Sequence, residues 1–186
     1  MSESKTVLLI MDFQQALVER MASEALVGAA NRAIAAAREK GIPVMFVRVA
    51  FRPGFPEASA SNAIFGGISK AGESMYQDSP TTQVYEGLNP LDSEPIVLKR
   101  RVSAFSGSDL DALLRSAKAE HLVLAGIATG GVVLSTLRQA ADLDFAMTVL
   151  EDACADSDVE VHQFLTQKIF PRMASVVSTD EWIATL

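Results

Sequence analysis

Asp12 ends the apolar run Val7-Leu8-Leu9-Ile10-Met11, and Lys99 ends the run Ile96-Val97-Leu98. A third segment, Gly126-Ile127-Ala128-Thr129-Gly130-Gly131-Val132, turns the chain from an apolar run into a helical pattern. A carboxylate at the end of a buried strand is partly desolvated, which raises its pKa and suits it to proton transfer. An ammonium at a neighbouring strand end holds such a carboxylate in register or stabilises developing negative charge. The turn presents consecutive backbone N–H groups at a helix start, a geometry that favours an anion or an oxyanion, with Ala128, Thr129, Gly130 and Gly131 as the cradle. Plainer roles stay open to each. Asp12 also suits a helix cap or a structural acceptor, Lys99 a solvated lysine beside Arg100 and Arg101, and Gly130-Gly131 a tight turn.

Nucleophiles are scarce around these residues. Ser135 lies one helical turn beyond Val132, points elsewhere, and reads as locally packed or capped. Cys154, the one cysteine, follows Glu151-Asp152-Ala153 after another apolar run. It reads as a small buried or interface residue, with a displaced nucleophile as the other reading. Asp152 reads as structural. Phe13, Gln14, Phe105 and the segment 51–94 are candidates for a pocket wall, while a core role is open to each aromatic. Arg52 and Arg101 are candidates for a bidentate grip on a substrate carboxylate, while solvated surface positions are open to both.

These residues converge only if a scaffold brings distant segments together. Val7–Met11, Pro43–Ala50, Ile96–Leu98, His121–Ala125, Phe145–Leu150 and Ala174–Val177 read as strands, apolar enough to be buried on both faces. Helical patterns fall between them. Ser23–Lys40 places Leu26, Ala29, Ala30, Ala33, Ile34 and Ala37 on one stripe and stops at Gly41. Ser108–Ala117 and Gly131–Leu143 are two more. The spacing of Ser157 and Glu160 predicts a capping box opening a helix to about Phe170, before Pro171. The segment 51–94 has no period and is rich in Pro and Gly, which fits a lid, a pocket wall or an oligomer contact.

Alternating strands and helices imply an α/β fold, a parallel sheet of about six strands with helices on both faces. Ligands of such sheets bind beyond the carboxyl ends of the strands. Asp12, Lys99 and the 126–132 turn all lie there.

Composition narrows the partners. The 186 residues fit one domain, 1–186. A net charge of −7 with no basic stripe argues against nucleic acid and against an anionic membrane surface, while the one basic triplet, Lys99-Arg100-Arg101, is long enough only for a small-molecule anionic substrate. No apolar run reaches the ~18 residues of a membrane span. Met1-Ser2-Glu3-Ser4-Lys5 lacks the pattern of a secretory leader. A cytoplasmic protein is the reading that follows.

Three motifs, in this order and spacing, resemble the isochorismatase-like, or cysteine hydrolase, superfamily. They are LLIMDFQ with Asp12 and Gln14, VLKRRVSAF with Lys99 and Ser103-Ala104-Phe105, and LAGIATGGVVLSTLRQAADLDF. The resemblance covers essentially the whole chain. It implies a three-layer α-β-α sandwich of Rossmann-like topology, a homodimer or homotetramer, and a triad of aspartate, lysine and cysteine. Asp12 and Lys99 take the first two places, and Val132 stands where the cysteine would. It also implies a non-proline cis peptide before the motif threonine, mapped to Ala128–Thr129, that aims N–H groups of Thr129 and Val132 at an oxyanion. Nicotinamidases of the family bind a metal through histidines after the second strand. Here Arg48-Val49-Ala50-Phe51-Arg52-Pro53 has none, so no metal and no other cofactor is expected.

Valine cannot attack a carbonyl, so the covalent amidase route is closed at this position. Isochorismatases, as the resemblance implies, have glycine there and cleave a vinyl ether by protonating its carbon. Three readings follow. The first is a hydrolase of a small, carboxylate-bearing metabolite with Asp12 as general acid and Lys99 as its partner. The second is a binding protein of the same fold without turnover. The third is an amidase with Cys154 as relocated nucleophile.

Overall fold

The computed structural model describes residues 5–186; the leader comparison at residues 1–4 lies outside them. Six strands form one all-parallel sheet: β1 Thr6–Met11, β2 Val44–Val49, β3 Ile96–Lys99, β4 His121–Ile127, β5 Ala146–Ala155 and β6 Ser175–Val177, in the spatial order β3-β2-β1-β4-β5-β6. The order reverses between β1 and β4. Chain segments leaving those two strands diverge to opposite faces and open a crevice at their carboxyl ends. β1 ends beside Asp12 and β4 ends beside the 128–132 turn.

The strands read as unbroken apolar runs because both faces are covered. Leu8 and Ile10 pack with α2, Glu24–Glu39, while Val7, Leu9 and Met11 pack with Leu110 and Leu114 of α3, Leu110–Ser116, and with Leu137 of α4, Leu134–Asp142. The buried face of α2 is the stripe Leu26, Ala29, Ala30, Ala33, Ile34 and Ala37. Ser23 caps it by accepting from the Leu26 N–H at 3.1 Å, and Gly41 stops it at φ 68°.

Several boundaries differ from the sequence expectation for identifiable reasons. α3 starts two residues late because Ser108 turns its hydroxyl back onto the Ala104 carbonyl. α4 is preceded by a widened turn at 129–133. The capping box at Ser157 and Glu160 does not form. Asp158 caps α5, Val159–Phe164, by accepting from the N–H groups of Glu160 and Val161. β5 runs five residues past Leu150, since residues 150–153 bulge opposite Ala125 before pairing resumes at Cys154. Two short helices carry too little pattern to be read from sequence: α1, Gln15–Met21, and α6, Thr179–Ile183, the latter with a true capping box of Ser178 and Glu181.

Segment 51–94 builds a small core of its own. Phe51 packs against Phe55 and Phe65, and Phe55 against Tyr76, with ring centroids 5.2–5.9 Å apart. Two arginines pin the segment to the strand ends. Arg48 Nη1 donates to the Gln77 carbonyl at 3.0 Å, and Arg100 donates to Gln77 Oε1 at 2.9 Å and Glu57 Oε1 at 3.1 Å. No helix of the described residues is long and apolar enough to cross a membrane.

Candidate active site

Asp12 and Lys99, 87 positions apart in sequence, meet at the carboxyl edge of the sheet. Lys99 Nζ is 2.8 Å from Asp12 Oδ2 and also donates to the Arg101 carbonyl at 3.1 Å. Asp12 takes the left-handed conformation, φ 57°, which costs a non-glycine residue on the order of 1 kcal/mol. It is held there by its N–H on the Val47 carbonyl and its carbonyl under the Gln14 N–H, each at 2.8 Å. The other carboxylate oxygen, Oδ1, is buried without a hydrogen-bond partner among the described residues. Burial drives the Asp12 pKa up, and the attraction and hydrogen bond of Lys99 pull against it without cancelling it.

Val132, at the position of the family cysteine, is sealed. Its exposure is 2%, beside 5% for Asp12 and 2% for Lys99, and it belongs to the same buried cluster as Cys154 and Leu165. The turn before it carries a cis peptide at Ile127–Ala128, one residue earlier than the sequence mapping placed it. Ala128 sets the shape by accepting from the N–H groups of Gly131 at 3.1 Å and Val133 at 3.3 Å. Gly126 lets β4 approach β1, since a Cβ there would lie 3.0 Å from the Met11 carbonyl oxygen.

The remaining candidates are spread more widely. Phe13 is 1% exposed, inside the α2-side core. Phe105 lies in the opposite cluster, 6.2 Å from the Phe145 ring. Gln14 spends its amide on backbone, donating to the Val49 and Thr82 carbonyls and accepting from the Val49 N–H, all at 2.9 Å. It ties segment 51–94 to β2. Arg52 and Arg101 do come together, but around Glu57: Arg52 pairs with its carboxylate and Arg101 donates to its carbonyl at 2.8 Å, with the Arg101 guanidinium 5.6 Å over Phe65. They line an open cleft of about 970 Å³ with Glu57, Arg100, Ser108 and Asp109, and none of Asp12, Lys99 or Val132 is on its wall.

Two residues outside the sequence candidates hold the turn. Thr129, fully buried, shares a hydrogen bond with His162 Nδ1 at 2.8 Å, and the Gly130 N–H donates to Asp156 Oδ2 at 2.7 Å. Their sequence signal was weak, because the charged pair Glu151-Asp152 ends the apolar run and hides that β5 continues to the sheet edge. Asp152 is structural, accepting from the Thr179 N–H and hydroxyl at 2.7 Å each. His121 also has partners, Thr148 at 3.0 Å and Thr6 at 3.4 Å. Among the described residues no group of three or more His, Cys, Asp or Glu is placed to hold a metal ion.

A six-strand all-parallel sheet in this order, covered by helices on both faces, defines the isochorismatase-like class of α/β folds. The chain belongs to the isochorismatase family, whose domain model matches residues 6–181. Isochorismatase family protein YecD of Escherichia coli O157:H7 is 30% identical over 185 residues, covering 97% of this chain and 96% of that one. Ureidoacrylate amidohydrolase RutB of Pseudomonas syringae pv. syringae is 34% identical over 144 residues, which are 72% of this chain and 59% of that protein. Among solved structures, an isochorismatase family protein from Burkholderia thailandensis superposes with a TM-score of 0.86 at 26% identity, over 98% of this chain and 95% of the other.

Proposed function

We propose that this chain is a hydrolase of a small metabolite that works without a covalent intermediate, with Asp12 as general acid and Lys99 as its electrostatic partner. The observation that carries this reading is the Asp12 carboxyl itself. One oxygen is fixed by Lys99 at 2.8 Å and the other is buried, without a partner among the described residues, and so free to carry and deliver a proton. Leaving a buried carboxylate oxygen unpaired costs about 1–3 kcal/mol, a cost typical of groups kept for chemistry.

With an enol ether as substrate, protonated Asp12 gives its proton to the terminal vinyl carbon, leaving an oxocarbenium ion and the Asp12 carboxylate. Water adds to the cation and returns a proton to Asp12. The hemiketal so formed collapses to a carbonyl compound and an alcohol. No side chain is alkylated or acylated, so valine at position 132 is no obstacle. Arg52 and Arg101, the candidates for holding a substrate carboxylate, line a separate cleft around Glu57 and not the pair. The pair acts on the bond cleaved rather than on the charge of the substrate.

A second reading, a binding protein without turnover, is favoured by one observation: all three central side chains are at most 5% exposed. The relocated amidase loses support. Cys154 is 4% exposed and burial pushes its thiol up to about 12, with the Gly126 N–H opposing weakly. The test is a screen of vinyl-ether and amide substrates with the native chain, Asp12→Asn and Cys154→Ala. Turnover of an enol ether that Asp12→Asn abolishes and Cys154→Ala spares supports the hydrolase. Turnover unchanged in Asp12→Asn would refute the role of Asp12.

A further inference from the structure

One donor of the 128–132 turn already carries an anion. The Gly130 N–H donates at 2.7 Å to Asp156 Oδ2, and Asp156 directly follows the last residue of β5. The contact is built into the packing. A Cβ on residue 130 would lie 3.2 Å from that oxygen and 3.2 Å from Val161 Cγ1, so a side chain there would push the carboxylate or α5 back by a few tenths of an ångström. Asp156 is itself fixed by its other oxygen, which accepts from the Asp158 N–H at 3.3 Å and the Ser157 hydroxyl at 3.4 Å. Thr129, the neighbouring residue of the turn, is clamped by His162. A cleft of about 430 Å³ lined by Arg20, Met21, Asp156 and Ser157 opens on the carboxylate from solvent.

We propose that Asp156 is the resident anion of this turn. It is a positioning residue that fills the Gly130 donor with the protein's own carboxylate. It thereby sets the site against reactions that build negative charge at the turn and in favour of those that build positive charge. The inference rests on the reading of Asp12 as an acid and deepens it. A tetrahedral oxyanion of amide cleavage would meet a like charge beside the turn, whereas an oxocarbenium ion would meet an opposite one. The loss of the cysteine and the occupation of the donor then point to the same class of substrate, one that develops a cation.

The experiment needs no substrate, so its outcome is separate from the turnover test of Asp12. Uniformly ¹⁵N-labelled protein is titrated with inorganic phosphate while the Gly130 amide resonance is followed. The native chain is expected not to respond. Asp156→Asn, whose amide oxygen still accepts from Gly130, is expected to behave like it. Asp156→Ala is expected to acquire a saturable shift at Gly130, a gain that mere loss of a structural contact would not produce. A saturable response in the native chain, or none in folded Asp156→Ala, overturns the proposal. Asp156→Ser replaces the alanine variant if that fails to fold, and the native titration stands in either case.

Discussion

Lys99 Nζ stands 2.8 Å from one oxygen of Asp12 while the other oxygen of the same carboxylate has no partner among the described residues. The lysine therefore orients the acid without consuming it. Its charge also restrains the pKa that burial raises, which keeps a proton-donating group from becoming too weak an acid to give its proton up.

That balance fixes the sign of the pH dependence. The competent form is protonated Asp12, so kcat/KM is level on the acid side and falls tenfold per pH unit above the pKa of Asp12. Burial places that limb above the ordinary carboxylate value of about 3.9. Lys99→Met removes the influence that lowers the pKa and so moves the limb to higher pH. A rate profile that rises with pH through this region would mean that the carboxylate acts as base.

The pair should also be a stability liability. Each buried ion has a desolvation cost of several kcal/mol, and removing one partner strands the other. Asp12→Asn and Lys99→Met singly are expected to destabilise by about 3–5 kcal/mol, and the double variant Asp12→Leu with Lys99→Met to match or exceed the native chain. For 186 residues each kcal/mol corresponds to about 2–4 °C in Tm, so calorimetry resolves these differences. A double variant as unstable as either single one would show that the pair holds the fold rather than the chemistry.

How much of this was legible follows from the physics of each residue. The β1 run and the α2 stripe were readable because burial on two faces or one stripe leaves a periodic trace. Asp12 and Lys99 were readable because each charge ends a buried strand, where it is costly unless it is paired. Asp156 and His162 were not recognised as partners of the turn, since their contacts cross the sheet edge and a β-bulge hides the end of β5. Gln14, Phe13 and the arginines have structural partners that their types did not announce. Motif position and residue type made them pocket candidates, while their contacts go to backbone, to core and to Glu57.

Cys154 gives a prediction that needs no substrate. A thiol at about 12 is ionised to only about one part in 10⁴ at pH 8, against roughly a quarter for an ordinary cysteine. Iodoacetamide should therefore label the native chain at least a thousandfold more slowly than the denatured one, with unchanged ligand binding or turnover after prolonged exposure. Rapid native labelling with loss of activity would return the thiol to the site.

Val132 separates hydrolase from binding protein most directly. Its side chain is 2% exposed and packs in the buried cluster that also holds Met11, the residue before Asp12. Val132→Gly removes three buried carbons and adds backbone freedom, which together cost about 2–4 kcal/mol. In a non-covalent hydrolase the vacated space eases entry while Asp12 keeps its proton, so KM falls severalfold and kcat stays within a few fold. In a protein that only binds, the same change alters affinity and creates no turnover. A drop in kcat of a hundredfold or more would contradict both, because it would mean that the isopropyl group itself holds Asp12 in its working geometry.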